Sequence, residues 1–276
     1  MRAEQAALEW LLEMGADEAI DAQPRDWRAR PEPPGSQAPS AVDVSAAARS
    51  ANPAPHSPRP IVPTPESGPG QANQIHRALD DELAGITSLA GLAARLDTYD
   101  GCSLKNTAMN TVFGAGAEDA RVMIIGEAPG EEEDRRGIPF IGPSGKLLEH
   151  MLAAIGLTRE QVYITNTIYW RPPGNRTPTP QEVQACAPFL RRQAALIQPE
   201  VLLLVGGAAA KTVLNRKEGI MRLRGKWFDA DFGGGERPIA ALATFHPAYL
   251  LRSPAQKGEA WRDLLAVEKR LAGPPQ

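Results

Sequence analysis

The sequence predicts an α/β fold in which a four-stranded parallel sheet is covered by helices on both faces. Three observations lead there. Four short apolar runs recur along the second half of the chain: RVMIIG (121–126), QVYITN (161–166), EVLLLVG (200–206) and IAALATFHP (239–247). Helix-like segments separate them: GKLLEHMLAAIG (145–156), TPQEVQACAPFLRRQAALI (179–197) and GAAAKTVLNR (207–216). Strands alternating with helices are the mark of βαβ units, whose buried parallel strands read as continuous apolar runs. Each run also ends in glycine or polar residues, GEAPG, TNT, GGAA and FHPAY. In open parallel sheets the binding crevice lies at the carboxyl ends of the strands, so these four ends are expected to meet.

The elements follow in chain order. Residues 3–20 place Ala7, Leu8, Leu11, Leu12 and Met14 at helical spacing, which predicts a short amphipathic helix over about 1–21. From residue 22 to 73 proline recurs, from Pro24 to Pro69, among Ala, Ser, Gly and Arg, with almost no large apolar residues. Such a stretch cannot bury enough surface to offset its chain entropy and is read as a disordered tether. The folded domain is expected over 74–276, opening with helical residues 74–96. No internal repeat is present.

The 276 residues carry a formal net charge of −3, which excludes binding to nucleic acid by net charge alone and leaves room for local basic patches such as Arg222, Arg224 and Lys226. Two cysteines, Cys102 and Cys186, are too few for a disulfide framework. The N-terminus lacks the apolar core of a secretory signal, and no run approaches the ~20 apolar residues of a membrane span. A cytoplasmic protein without membrane association is expected.

Chemistry concentrates at the strand ends. GEAPGEEED (126–134) matches neither G-x-G-x-x-G nor a P-loop, so a nucleotide-phosphate cradle is not indicated. Glu127 directly follows a buried strand, where a carboxylate could orient water or stabilise positive charge. Glu131, Glu132, Glu133 and Asp134 suit a helix N-terminus or plain solvation. Phe140, in GIPFIG, is either core or a ring exposed in a pocket to stack on a planar base. Asn166 offers a donor and an acceptor that suit the N3–H and O4 edge of uracil, or else it forms a turn. Arg171 and Arg176 in RPPGNR are candidates for phosphate contacts or solvation. His246, before Pro247, sits at the last strand end, followed by Leu250, Leu251 and Arg252.

Together GEAPGEEED, GIPFIGPSGKLL, VYITNTIYWRPPGNRTP, CAPFL and HPAYLLR closely resemble the family 4 uracil-DNA glycosylases, in order and at matching spacings over about residues 85–271. The resemblance implies a three-layer α/β/α fold with a four-stranded parallel sheet. It also implies excision of uracil from DNA by base flipping and hydrolysis, leaving an abasic site. Glu127 and His246 match the catalytic positions. Glu133 matches the carboxylate that crowds out the thymine methyl, Phe140 the ring that stacks on uracil, and Asn166 the residue that reads its edge. The HPAYLLR loop, with Leu250, Leu251 and Arg252, matches the wedge that enters the duplex, and Arg171 and Arg176 are assigned to DNA binding beside it.

Two departures stand out. Ala128 occupies the position at which another branch of the superfamily carries a water-activating aspartate. The family holds a [4Fe–4S] cluster with four cysteines, whereas this chain has Tyr99, Cys102, Trp170 and Cys186 at those positions. A cubane cluster takes four thiolates, so no cluster is expected, with Tyr99 and Trp170 packing in its place. The basic histidine-bearing insertion of a covalently trapping relative is missing, and no lysine stands poised as a lyase nucleophile, so ordinary turnover is expected. The expected partner is uracil-containing DNA, and the enzyme is expected to be a monomer whose N-terminal helix could engage a protein. The competing expectation is a catalytically weak DNA-binding member of the same superfamily, motivated by the lost cysteines.

Overall fold

The structure, a computed structural model, describes residues 78–232 and 238–273. The helix expected over 3–20 and the tether over 22–73 lie outside the described residues.

The sheet is built from β1 (Ala115–Gly116), β2 (Val122–Gly126), β3 (Tyr163–Asn166), β4 (Val201–Val205), β5 (Trp227–Ala230) and β6 (Ile239–Thr244), in the order β1-β3-β2-β4-β6-β5. The inner four, β3, β2, β4 and β6, run parallel, in registers such as Ile124 opposite Ile164 and Leu203 opposite Leu242. These are the four apolar runs of the sequence. The edges β1 and β5 pair antiparallel and were not expected. β1 is only two residues long. β5 starts at the end of the charged MRLRGKWF stretch and is a short edge strand, half-buried at Trp227 and Phe228, exposed at Asp229 and buried at Ala230.

Every position of β2, β3 and β4 is buried, because helices cover both faces. Side chains alternate across a strand, and the packing follows. Val122 and Ile124 join Leu148, Met151 and Leu152 of α3 (Pro143–Ala153) and Leu264 and Val267 of α8 (Lys257–Leu271). Met123 and Ile125 face the other way, toward Leu190 and Ala194 of α4 (Pro180–Ile197), Ala209 and Ala210 of α5 (Gly207–Leu214) and Leu223 of the short α6 (Ile220–Leu223). Helix α8, which the sequence reading passed over, buries Ala260, Leu264 and Val267 at helical spacing.

The single helix expected over 74–96 is two. Residues 78–84 are helical, the chain turns at Gly85, and α1 (Leu89–Asp97) restarts behind Ser88, whose Oγ accepts the Gly91 N–H at 3.1 Å. A serine cap that satisfies an otherwise free amide fixes the new start. Both pieces pack with Cys102, Leu104, Ile168, Tyr169, Trp170, Cys186 and Phe189 in a third apolar cluster.

Candidate active site

The carboxyl ends of β2, β3 and β6 open onto a cavity of about 520 Å³, whereas the GGAA end of β4 does not reach its lining. Glu127, Glu133, Phe140, Asn166, Arg176, His246 and Arg252 line it, so the structure brings these sequence candidates together. Ser144, Asn175 and Tyr249 line it as well, and nothing in their own sequence context marked them.

Asn166 ends β3 with 1% of its surface exposed. Its Oδ1 is the buried side-chain polar atom without a hydrogen-bond partner among the described residues. An unpaired buried acceptor is costly and is rarely left so without reason. Gly126 stands beside it: a Cβ there would lie 2.4 Å from Asn166 Oδ1 and 2.6 Å from Phe140 Cζ. Only glycine leaves the space between ring and amide open.

Phe140 is buried rather than displayed to solvent, because its ring lies against His246 with centroids 5.6 Å apart and planes 30° from parallel. It adopts φ +52°, a left-handed conformation unusual for an aromatic residue. Glu133, on α2 (Glu131–Arg136), fixes the next two residues: its Oε1 accepts the N–H groups of Ile141 (2.9 Å) and Gly142 (3.0 Å).

His246 caps α7 (Pro247–Arg252). Its Nδ1 accepts the Ala248 N–H at 3.1 Å, which leaves the ring proton on Nε2. Burial, and then the positive charge of Arg252, push its pKa down to about 4, against the pull of Glu133. The imidazole is neutral at physiological pH and still a donor. Gly206, at φ +103°, backs it, with a Cβ position only 3.1 Å from His246 Cβ. Behind the strand, Thr244 Oγ1 donates to Asp263 (2.8 Å), which in turn pairs with Arg224 (2.7 Å). Arg224 is therefore spent on an internal network and does not form a free basic patch.

Glu127 is half-buried, and burial raises its carboxyl pKa. Thr167 holds its backbone, donating Oγ1–H to Glu127 O at 2.7 Å and its N–H to Gly126 O at 2.9 Å. The loop after β3 is tied down at both ends. Arg171 Nε donates to Asn175 Oδ1 (2.7 Å), and Arg176 forms a two-point pair with Glu182 (2.6 and 2.9 Å).

Two expectations need correcting. Leu250 was placed in the DNA-facing loop, but it is fully buried in the core on α7, and Leu251, at 45% exposure, is the leucine that faces out. Asp134 was left to helix-end electrostatics or solvation; it does lie in the first turn of α2, but it is buried, and its Oδ1 accepts the N–H groups of Met109 (2.8 Å) and Asn110 (3.3 Å).

A model of the uracil DNA glycosylase superfamily matches residues 113–265, which include every cavity-lining residue named above. The chain belongs to the uracil-DNA glycosylase superfamily. It is 43% identical to a type-4 uracil-DNA glycosylase of Archaeoglobus fulgidus over 66% of this chain and 92% of the relative. A type-4 enzyme of Thermotoga maritima is 42% identical over 63% and 85%, and one of Pyrobaculum aerophilum 39% identical over 60% and 85%. The iron–sulfur cluster implied by the resemblance can be tested against the donors at its four positions. The Trp170 indole is donor-only, and its N–H goes to Thr111 Oγ1 at 3.2 Å. Burial holds the Tyr99 phenol above its ordinary pKa, so it stays protonated. Cys102 and Cys186 are buried free thiols hydrogen-bonded to each other; that bond, with burial, raises the Cys186 thiol, and the same bond lowers Cys102. These residues do not fit a group that takes four thiolates. Among the described residues no cluster of His, Cys, Asp and Glu could hold a metal ion, and no helix is long and apolar enough to cross a membrane.

Proposed function

We infer that this member of the superfamily is a monofunctional uracil-DNA glycosylase, which takes a uracil nucleotide out of DNA, hydrolyses its N-glycosidic bond and leaves an abasic site for base excision repair. The observation that carries the reading is the unpartnered Asn166 Oδ1 beside an aromatic wall. Uracil N3–H supplies the missing donor, and its O4 accepts from the same amide. Cytosine would set the lone pair of its N3 against Oδ1.

Cleavage moves negative charge onto the base and positive charge onto the sugar. The Nε2–H of neutral His246 is the donor for the charge growing on uracil O2. The Glu127 carboxylate stabilises the cationic sugar and accepts a proton from the attacking water. Phe140 stacks on the base, and Glu133 fixes the loop that carries it and crowds the position of a thymine methyl. Flipping costs a few kcal/mol, least at a mismatch, and exposed Leu251 filling the vacated stack offsets it. Arg176 and Arg252 line the site, and with Arg171 on the loop after β3 they are assigned to the DNA backbone. The donor set at Tyr99, Cys102, Trp170 and Cys186 supports an enzyme without the family's cluster. The cavity is complete within one chain, which supports a monomer, and the two buried free thiols suit the cytoplasm.

The test is a uracil-containing oligonucleotide treated with enzyme and then alkali. Strand breaks are expected, much reduced for His246→Ala and Glu127→Ala. No break with stoichiometric enzyme would favour a DNA-binding member without activity. Equal cleavage by both variants would overturn the residue roles.

A further inference from the structure

Phe140 holds its ring in a conformation that needs support from outside the cavity. A non-glycine residue at φ +52° persists only where its surroundings over-determine it. Glu133 fixes the amides that follow it. The carbonyls on the other side are held by one guanidinium. Arg159 Nη1 donates to Phe140 O at 2.7 Å, and Nη2 donates to Pro139 O. Nη1 also pairs with Glu149 at 3.2 Å, and the arginine side chain is only 18% exposed. The start of α3 closes the other side, since a Cβ at Gly145 would lie 1.8 Å from Phe140 O. Arg159 itself does not line the cavity. It opens the short turn Arg159–Gln161 that leads into β3, the strand that ends at Asn166. One side chain therefore couples the loop that carries the ring to the strand that carries the amide.

We propose that Arg159 is a positioning residue for base recognition: by gripping the carbonyls of Pro139 and Phe140 it holds the Phe140 ring at the distance from Asn166 and His246 that a bound uracil requires. The proposal rests on the reading of Phe140 as the stacking platform. Arginine suits the task because its planar fork serves two successive carbonyls and a carboxylate together, whereas a lysine ammonium is a compact donor on a flexible stem. When Arg159 is removed, the loop relaxes out of the left-handed conformation. The ring then moves, while Asn166, His246 and Glu127, on their own strand ends, stay in place.

The experiment is a double-mutant cycle on a single-stranded uracil oligonucleotide, with Phe140→Ala, Arg159→Ala, the double variant and Arg159→Lys. Inhibition by free uracil and thermal unfolding are measured alongside. Arg159→Ala is expected to lower kcat/KM about 10-fold and to weaken uracil inhibition in parallel, with the double variant within about twofold of Phe140→Ala. Arg159→Lys is expected to recover only part of the loss. A merely structural role would lower the melting temperature and leave kcat/KM per folded molecule and uracil inhibition unchanged, which would overturn the proposal. So would losses that multiply in the double variant. Wild-type activity in Phe140→Ala would instead remove the stacking platform, and the proposal with it. If Arg159→Ala does not fold, the same cycle run with Arg159→Lys decides.

Discussion

Gly126 and Asn166 show how single residues define this site. The pocket exists because position 126 lacks a Cβ: the added carbon would sit 2.4 Å from Asn166 Oδ1 and against the Phe140 ring. Gly126→Ala is expected to abolish uracil excision and uracil inhibition while leaving the fold intact, as checked by kinetics beside circular dichroism. The two titratable residues carry opposite shifts with separable consequences. Burial raises the Glu127 carboxyl, while His246 is pushed down to about 4. If ionised Glu127 is the working form, activity falls as pH drops through its raised pKa, before His246 begins to charge. The acidic limb of the pH–rate profile therefore belongs to Glu127. Glu127→Gln should flatten that limb at a rate lower by about 10²-fold or more, the scale of a lost acid–base group. Nitrogen NMR should find His246 neutral down to about pH 4 with its proton on Nε2. A limb that persists in Glu127→Gln would assign it elsewhere. Glu127, Asn166 and His246 were legible in the sequence because each stands at the end of an apolar run, and such ends converge, whereas Phe140 was marked by the glycines on both sides of it. Leu250 was not legible, because neighbours on a helix point about 100° apart. Which of Leu250 and Leu251 faces the core depends on what α7 packs against.

At the scale of elements, the loop after β3 is held by pairing at its far end. Glu182 sits in a capping box with Thr179 at the start of α4 and receives both nitrogens of Arg176. Arg176, and then the Thr179 amide, hold its pKa down at about 2. A carboxylate whose folded pKa is depressed stabilises the fold above its unfolded value and loses that contribution as pH falls toward the folded one. Glu182→Ala is therefore expected to lower the melting temperature at neutral pH, with the difference from wild type shrinking as the pH is taken from about 4.5 toward 2. A difference independent of pH would assign the loss to the helix cap alone. The same variant frees Arg176 and should raise KM for DNA more than it lowers kcat. Helix α7 yields a separate expectation: Leu251→Ala should slow excision from duplex DNA several-fold and leave single-stranded substrate nearly unaffected, because only the duplex has a gap to fill. The inner strands were legible as continuous apolar runs, and α4 as a helix-like segment between two of them. β5 and α8 were not, since a four-residue, half-buried edge strand and a helix rich in charge give weak apolar patterns.

For the whole molecule, the question is what joins residues 78–113 to the rest. The family resemblance implies an iron–sulfur cluster at this junction, but the donors here do not suit one. Instead the aromatic residues form a connected set. Tyr99 packs on Phe189 at 5.0 Å, Tyr169 meets Phe189 at 6.4 Å and Trp170 at 6.3 Å, and Leu92, Leu96, Cys102 and Cys186 fill the space between. Trp170 is nearly inaccessible, and its N–H is satisfied by Thr111. An indole with its hydrogen bond made packs as core, and the proposed lack of a cluster implies that this junction draws its stability from burial. Protein purified without air should therefore show no absorbance near 400 nm and bind no iron at about four per chain, the content of a cubane cluster. Its melting temperature should not change with chelator. Trp170→Ala should cost about 3–5 kcal/mol, the usual range for emptying a buried aromatic site, whereas replacing Cys102 and Cys186 together with alanine should cost far less and leave excision intact. A dependence on iron, or a cysteine-free variant that loses the fold while Trp170→Ala keeps it, would mean that the thiols and not the rings hold the junction.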